Sequence, residues 1–434
     1  MDKMADVLGR AGAWCGQNKY LSAIKNAFQN FMPLTIAGAI GVLWCNVLVN
    51  DQTGLGLFFK PIMALDFLNP AFQAVNFCTI SCITVGITLG IAQEIGVWNM
   101  GAERAGYIPG LVGLAAWLSV TNTSHMVDGA KEAFTGVAGN ELGATGLFTG
   151  MIIGVLSVEL FCFFEKQDAL KIKMPEQVPP GVARAFEVLV PATITLIITA
   201  CIGSACYNLT GLYLNDVIKN GVQGPLGAVG ATVPGVMIIY LVIMLFWLVG
   251  IHGNNMLSAV KEALFTPLAL ENVEKFNKGE KPTNIINMYA LQMWGEFGGS
   301  GVTIGLVIAI MIFGKREDNK AIATLSLVPG LFNINETVTF GIPMVLNPIL
   351  GIPFVVAPLI TIIIGYVLTV IGFCPVACLT VPWTTPPIEF GFLACGANVM
   401  GAVTQAILIV VSTVIYTPFL IAYEKYQNKQ AAEA

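Results

Sequence analysis

The sequence predicts an all-α, polytopic membrane protein, and three features carry that prediction. Of its 434 residues, 56% are hydrophobic and only 11% are charged, whereas soluble domains carry about 25% charged residues. Apolar stretches of about 20 residues, long enough to cross a bilayer as helices, recur along the chain. Charged residues collect in the segments between them. Because no basic face is available to neutralise phosphates, nucleic-acid binding is not expected.

The first half of the chain predicts a regular series of crossings. An amphipathic helix is expected at residues 4–31, where no cleavable signal peptide is recognisable, so the first crossing is expected to direct its own insertion. Basic residues cluster before that crossing and again at 165–186, which places both segments in the cytoplasm by the positive-inside rule. The predicted crossings of this half are residues 32–49, 73–95, 105–120, 144–164 and 187–207.

The second half is interrupted. A polar piece at 208–222 and a crossing at 223–250 lead to two basic segments, 271–284 and 314–320, which are both expected in the cytoplasm. A single crossing cannot join two segments on the same side. Residues 284–313 therefore predict a hairpin that enters and leaves on one side, with Glu296 near its bend.

A second re-entrant segment is predicted at 321–343, and crossings at 345–373 and 398–422 flank a Pro-rich break at 380–389. Lysines after the last crossing place the C-terminus in the cytoplasm. Because broken helices in transporters line the substrate site, the half formed by residues 223–434 is expected to hold it.

Glu336 is the main candidate site residue. It lies between Asn335 and Thr337 in the motif at 333–343, whose Gly341 and Pro343 interrupt a helix. An ionisable residue at membrane depth is costly and indicates a functional site. The alternative is an aqueous loop in which Glu336 has no role.

Three further polar features lie in the same half. The run at 251–255 offers His252, Asn254 and Asn255 just after Trp247, although Asn and Gly also end helices commonly. Glu296 follows the aromatic Trp294 closely. Trp383 lies in the Pro-rich break beside two threonines and Glu389, where the alternative is an anchor at the membrane interface.

These residue types suit a carbohydrate. Carboxylates, amides and imidazole pair with vicinal hydroxyls, and tryptophan packs against the C–H face of a sugar ring. A cation site would need more carboxylates, and an anionic substrate would call for membrane-embedded arginines, which are missing. Burial raises a carboxyl pKa toward the working range, so Glu336 could accept a proton from a sugar hydroxyl. His252 could orient that hydroxyl or stabilise an incoming phosphoryl group.

The cysteines do not indicate a metal or a disulfide set. Most of the 10 lie within apolar runs and are expected to be small buried hydrophobic residues. Cys374 and Cys378 have the spacing CxxxC, but the chain contains only His125 and His252 as imidazoles. We therefore expect no metal, and no other cofactor.

The runs Gly-Ile-His-Gly-Asn-Asn at 250–255 and Asn-Ile-Asn-Glu-Thr-Val-Thr-Phe-Gly-Ile-Pro at 333–343 resemble the signatures of a transporter family. This family is the membrane-spanning IIC component of bacterial phosphotransferase-system sugar transporters, in its lactose/cellobiose/diacetylchitobiose branch. The similarity extends over essentially the whole chain.

The resemblance implies about ten transmembrane helices plus re-entrant hairpins and amphipathic helices. Residues 1–222 would form a half that makes a homodimer, and residues 223–434 a half that holds the sugar. Glu336 and His252 match the catalytic pair of the family. Trp247, Asn254 and Trp383 match the pocket wall, and the pair Gly139 and Asn140 would reach the sugar from the first half.

The resemblance also implies a partner. A phosphocysteine on a separate cytoplasmic IIB protein, supplied by IIA, would phosphorylate the 6-hydroxyl of a bound disaccharide at the bacterial cytoplasmic membrane. Diacetylchitobiose and cellobiose are favoured over lactose. Two alternatives remain: a proton-coupled sugar symporter in which Glu336 carries a proton, and a scaffold or receptor without transport. The predicted hairpins argue against the scaffold.

Overall fold

The computed structural model describes residue 14 and residues 17–51, 55–125, 134–175, 177–225, 230–342 and 344–433. Nearly all regular structure in these residues is helical, and the predicted all-α class is confirmed. Strand is confined, among the described residues, to the antiparallel pair β1 (Ser124–His125) and β2 (Phe134–Thr135). Helices dominate because a chain in lipid must satisfy its backbone hydrogen bonds within each segment or in a closed barrel.

The helices before residue 230 are α1 (Lys19–Leu43), α2 (Asn69–Asn76), α3 (Ile83–Met100), α4 (Ala102–Ala105), α5 (Ile108–Val120), α6 (Gly139–Leu142), α7 (Ala144–Glu165), α8 (Pro180–Thr210) and α9 (Leu214–Ile218). Short π-helical turns lie at Trp44–Leu48, Phe77–Ser81 and Lys219–Gln223. Short 3₁₀ helices lie at Leu55–Leu57, Lys60–Leu68 and Asp168–Leu170.

The helices that follow are α10 (Val233–Leu248), α11 (Gly253–Met256), α12 (Ser258–Asn277), α13 (Met288–Gly295), α14 (Ile304–Phe313), α15 (Glu317–Leu331), α16 (Glu336–Gly341), α17 (Gly351–Val370), α18 (Glu389–Ala394) and α19 (Val399–Glu433).

Fewer helices than expected are long and apolar enough to cross a membrane alone. Within the described residues there are 5 of these, or 6 if the two helices that meet at Cys82 count as one bent span. Shorter apolar helices, α5, α10 and α14, add 10–17 residues each. The count of about ten spans therefore stays a prediction. The five are Lys19–Leu48, Ala144–Glu165, Pro180–Thr210, Gly351–Val370 and Val399–Glu433.

The chain forms two structural units that do not follow a single cut in the sequence. One unit, here the first unit, contains Gln17–Gly38 and Ala74–Ala228. The other, the second unit, contains residue 14, Ala39–Gln73 and the described residues from 230 to 433. The roles assigned to residues 1–222 and 223–434 remain predictions.

In the first unit, α7 packs against α3, α5 and α8. Small residues allow the close approach of α7 to α3: a Cβ added at Gly150 would lie 2.2 Å from the hydroxyl of Thr88. Glycine at such a contact lets apolar helices approach closely and associate by van der Waals packing. This packing matters in lipid because the hydrophobic effect does not drive helices together there. Trp117 of α5 is fully buried in the core cluster of this unit.

In the second unit, α19 packs against α14, α17 and α18. A Cβ on Gly305 of α14 would overlap Ser412 of α19, and the backbones of Gly391 and Gly401 approach so closely that a Cβ on either one would meet the other's carbonyl oxygen. Gln405 of α19 accepts hydrogen bonds from the backbone N–H groups of Ile388 and Gly391, both at 2.8 Å. These contacts connect α18, at the end of the Pro-rich break, to the longest helix.

The helix breaks predicted in the second half are present. Helix α13 ends at Gly295 and α14 begins at Ile304, so the chain is irregular around Glu296; α15 ends at Leu331, just before the Glu336 motif. The carbonyls of Gly301 and Val302 in the first break accept hydrogen bonds from Tyr416 (2.7 Å) and Ser412 (3.0 Å) of α19. Protein donors thus satisfy this irregular backbone, as burial in an apolar environment requires.

The predicted crossing at 223–250 differs from the structure. Helix α10 has 16 residues and begins at Val233, where the Thr232 hydroxyl accepts a hydrogen bond from the N–H of Gly235. At its other end, Gly250 adopts a φ of +80°, a conformation that glycine reaches without steric cost. The cap at Thr232 and the turn at Gly250 set the two ends of the helix. A prediction from hydropathy alone places these ends too far apart.

Candidate functional site

His252 is positioned by the turn that ends α10. It caps the short helix α11, and its Nδ1 accepts a hydrogen bond from the backbone N–H of Asn255 at 3.2 Å. The buried ring of Trp247 packs against the imidazole, with ring centroids 4.5 Å apart. A capping hydrogen bond and an aromatic neighbour therefore fix the imidazole. The alternative given for the run at 251–255, a role at a helix end, thus applies to His252 as the N-terminal cap of α11.

Glu336 begins α16, directly after the second helix break. Its carboxylate Oε1 lies 3.8 Å from Nε2 of His252, and the two side chains are 47% and 36% exposed. Two residues that the sequence places in separate motifs therefore meet at one accessible position.

The hydrogen-bonding state of His252 follows from its partners. Because Nδ1 accepts a hydrogen bond, the neutral ring carries its proton on Nε2, and this nitrogen faces Glu336. The separation of 3.8 Å is too long for a direct hydrogen bond. It is a distance that one oxygen atom can bridge. The pair can thus hold a hydroxyl that receives a hydrogen bond from His252 and gives its own proton toward Glu336.

A buried ion pair lies beside this segment. Lys261 of α12 is 6% exposed and pairs with Glu296 at the end of α13. The hydroxyl of Tyr240 donates to the same carboxylate oxygen at 2.7 Å, and the ammonium of Lys261 also donates to Oδ1 of Asn254 at 3.1 Å. Glu296, predicted as a sugar ligand, is thus bound to protein groups.

The loop between α13 and α14 joins the two motifs. The amide nitrogen of Asn254 donates to the hydroxyl of Ser300 at 2.9 Å, and the amide nitrogen of Asn335 donates to the carbonyl of Ser300 at 2.7 Å. Close packing requires glycine here, since a Cβ on Gly299 would lie 2.7 Å from the Cβ of Asn335.

Asn333 connects the Glu336 motif to the Pro-rich break. Its oxygen accepts from the N–H of Gly298 at 2.6 Å, and its nitrogen donates to the carbonyls of Trp383 and Thr385 at 2.5 and 3.0 Å. Its φ of +62° is uncommon outside glycine but tolerated by Asn. Trp383 itself is 45% exposed.

Other predicted site residues lie elsewhere or act through their backbone. Asn255 is exposed, and its N–H group holds His252. Trp294, next to Glu296, is fully buried against Gly365 and serves packing. Gly139 and Asn140 begin α6 in the first unit, and their contact with a sugar stays a prediction.

Sequence reasoning missed Lys261, Tyr240 and Ser300. One signal was available for the first of these: Lys261 and Glu262 are two adjacent charges in the otherwise uncharged stretch 256–270, and charges in such a stretch indicate a functional or paired site. The sequence analysis considered embedded arginines only, and the structure shows a buried lysine instead at this place.

Comparison with known proteins decides the family. A family model described as "Phosphotransferase system, EIIC" matches residues 25–358. The chain belongs to this family. It is a multi-pass sugar permease component of a phosphotransferase system, a class of protein that binds sugar and works with IIB and IIA partners.

The relatives of this EIIC protein align over nearly the whole chain. The oligo-beta-mannoside-specific EIIC component of Bacillus subtilis (strain 168) is 32% identical over 429 residues, covering 98% of this chain and 94% of the relative. The cellobiose-specific EIIC component of Lactococcus lactis subsp. lactis (strain IL1403) is 30% identical, covering 98% of each chain.

A solved structure has the same fold. The crystal structure of the transporter ChbC, the IIC component from the N,N'-diacetylchitobiose-specific phosphotransferase system, superposes with a TM-score of 0.88 at 29% identity. The match covers 97% of both chains. The all-α transporter fold that the resemblance implies is therefore confirmed, and the count of about ten spans stays a prediction.

Proposed function

We propose that this EIIC protein binds a β-linked disaccharide, carries it inward and presents its 6-hydroxyl to a phosphocysteine on a separate IIB protein. The observation that carries this proposal is the gap of 3.8 Å between His252 and Glu336. It has a hydrogen-bond donor on one side and a proton acceptor on the other, and both side chains are accessible.

The chemistry follows from this pair. As the 6-hydroxyl oxygen attacks phosphorus, an O–P bond forms and the S–P bond of the phosphocysteine breaks, and the thiolate leaves with the bonding electrons. The proton of the hydroxyl passes to Glu336, which acts as general base. Nε2–H of His252 holds the attacking oxygen in line, which raises the rate by positioning.

The proposed substrate class is a β-linked glucose-type disaccharide, with diacetylchitobiose and cellobiose favoured and lactose as a further candidate. Relatives named for cellobiose and diacetylchitobiose align over the full chain. One aromatic side chain supports a sugar: Trp383 presents an accessible ring in the Pro-rich break, next to the carbonyl that accepts from Asn333, whereas Trp247 is buried and supports His252 from behind. Asn254 and Asn255 complete the proposed set of residues around the sugar within the second unit, and the buried Asn335 holds Ser300 beside them.

The test is uptake of radiolabelled diacetylchitobiose and cellobiose into cells with and without a phosphorylated IIB protein, followed by analysis of the internal product. A 6-phosphorylated disaccharide that forms only with IIB supports group translocation, and the accumulating sugar identifies the substrate. Free sugar that accumulates without IIB, and is lost when the proton gradient collapses, would instead establish a proton-coupled symporter.

The proposal includes a membrane and an assembly. We place the protein in the bacterial cytoplasmic membrane with both termini inside, and basic residues before the first crossing and after the last one support this orientation. We also propose a dimer formed through the first half. Its test is the molecular mass of the detergent-solubilised protein, and a monomeric mass at the working concentration would reject the dimer.

A further inference from the structure

We propose that Lys261 is a positioning residue, which holds the segment of His252 against the segment of Glu336 through Asn254 and Ser300. The proposal rests on the function proposed above and adds a residue that the sequence did not single out. It concerns an ion pair beneath the sugar-handling groups, not a further sugar ligand.

The first step is the burial of the pair. Lys261 is 6% exposed, and its ammonium is compensated by Glu296. A buried ion pair is weak evidence for stability, because apolar residues of similar volume often serve the fold as well or better. What the pair does supply is a set of directed hydrogen bonds, and Tyr240 of α10 adds one more to the same carboxylate oxygen.

The second step is the direction of the Asn254 amide. A lysine ammonium has donors only, so the oxygen of Asn254 must face Lys261, and its nitrogen then faces the hydroxyl of Ser300. Lys261 thereby decides which end of the Asn254 amide faces Ser300, since the oxygen and nitrogen of an amide could otherwise exchange places. Asn254 keeps one N–H and one lone pair for other contacts.

The third step is the continuity of the contacts. Asn254 lies in α11, the helix that His252 caps, and Asn335 directly precedes Glu336. Ser300 accepts hydrogen bonds from both amides, with its hydroxyl and its carbonyl. Hydrogen bonds therefore run from Lys261 to both halves of the pair, so the distance between His252 and Glu336 depends on the orientation that Lys261 sets.

The experiment uses the full chain in lipid nanodiscs. The main variant combines Lys261→Met with Glu296→Gln, because it removes the donor to Asn254 without leaving a buried charge unpaired, and Gln keeps an acceptor for Tyr240. Lys261→Arg is the conservative variant. The matched control combines Lys278→Met with Glu274→Gln, an exposed Lys–Glu pair at the end of the same helix α12.

Two readouts separate positioning from folding. The first is the rate at which diethyl pyrocarbonate modifies His252 in a His125→Gln background, which leaves one histidine in the chain and needs no partner protein. The second is phosphorylation of diacetylchitobiose or cellobiose by a phosphorylated IIB protein at saturating sugar. Thermal unfolding monitors the fold of each variant.

We expect the main variant to fold, to change the modification rate of His252 several-fold, and to phosphorylate sugar about 100-fold more slowly, since a displacement of about 1 Å costs this much. Lys261→Arg should retain most of the parent's phosphorylation rate, and the control double variant should match the parent in both readouts. Unchanged His252 reactivity and phosphorylation in a folded main variant would overturn the proposal, as would equal losses in the control.

Two further outcomes remain decisive. If the main variant does not fold, Ser300→Ala carries the test, because it removes the hydroxyl that receives Asn254 and keeps the carbonyl that receives Asn335. Unchanged His252 reactivity and phosphorylation in Ser300→Ala would then overturn the proposal. If the parent protein forms no sugar phosphate, the proposed function fails, while the reactivity of His252 still decides whether Lys261 positions it.

Discussion

The carboxylate of Glu336 lies 3.8 Å from Nε2 of His252, which makes the two residues chemically different partners of one bridging hydroxyl. Glu336→Gln keeps the shape of the side chain and removes the proton acceptor. We expect sugar affinity to change little and the phosphorylation rate at saturating sugar to fall about 10²–10⁴-fold. Isothermal titration and a sugar phosphate assay measure the two quantities. A normal phosphorylation rate would exclude the role as base and leave the role in binding.

His252 combines a structural and a chemical task, and two substitutions separate them. His252→Asn retains an acceptor for the N-terminus of α11 and loses the donor that faces Glu336. His252→Ala loses both, and removal of a helix cap costs about 1 kcal/mol. We expect both variants to lose sugar phosphorylation but only His252→Ala to unfold at lower temperature. Equal unfolding temperatures would show that the capping bond adds little.

Asn333 should be sensitive to changes in both its side chain and its backbone. Asn333→Gly keeps the φ of +62° accessible but removes three hydrogen bonds. Asn333→Ala removes the same bonds and adds about 1–2 kcal/mol of left-handed strain. We therefore expect the order of unfolding temperature to be the parent, then Asn333→Gly, then Asn333→Ala. A reversed order of the two variants would mean that strain does not limit this position.

The contact of α18 with α19 leaves no room for a methyl group. A Cβ on Gly401 would lie 2.1 Å from the carbonyl oxygen of Gly391, so Gly401→Ala should lower the free energy of unfolding by about 1–3 kcal/mol. The matched control is Gly181→Ala in the first turn of α8, where a Cβ meets nothing within 4 Å. The control should leave thermal unfolding unchanged or raise its midpoint slightly. Equal effects would mean that the α18 contact readily relaxes.

The sequence predicts the kind of fold for stated physical reasons, and it offers Glu336 and His252 as site candidates whose role stays a prediction. Apolar length predicts helices, and Gly and Pro beside Glu336 predict a break at its motif. Both breaks are present. The sequence does not predict that Lys261 and Glu296 form a pair, because residues so far apart in the chain meet only through the packing of α12 against α13.

Hydropathy also overestimates α10, since it does not register the turn at Gly250 or the cap at Thr232. The partners of Glu296 have the same difficulty: its carboxylate is a candidate sugar ligand in the sequence, the fold pairs its Oε1 with Lys261 and Tyr240, and contact with a sugar stays a prediction. A pattern identifies which groups are costly to bury, and only the packing shows what compensates them.

The side chain of Asn333 has a consequence for transport. It holds the tip of one hairpin at Gly298 and the aromatic loop of Trp383, and it lies in the motif of Glu336. Because these parts cannot separate without breaking its hydrogen bonds, we expect the Glu336 motif, the loop at Gly298 and the loop of Trp383 to move together. Access to either side of the membrane would then change by movement of the residues around these three loops, and we expect spectroscopic probes attached to the loops to keep a constant spacing throughout the cycle.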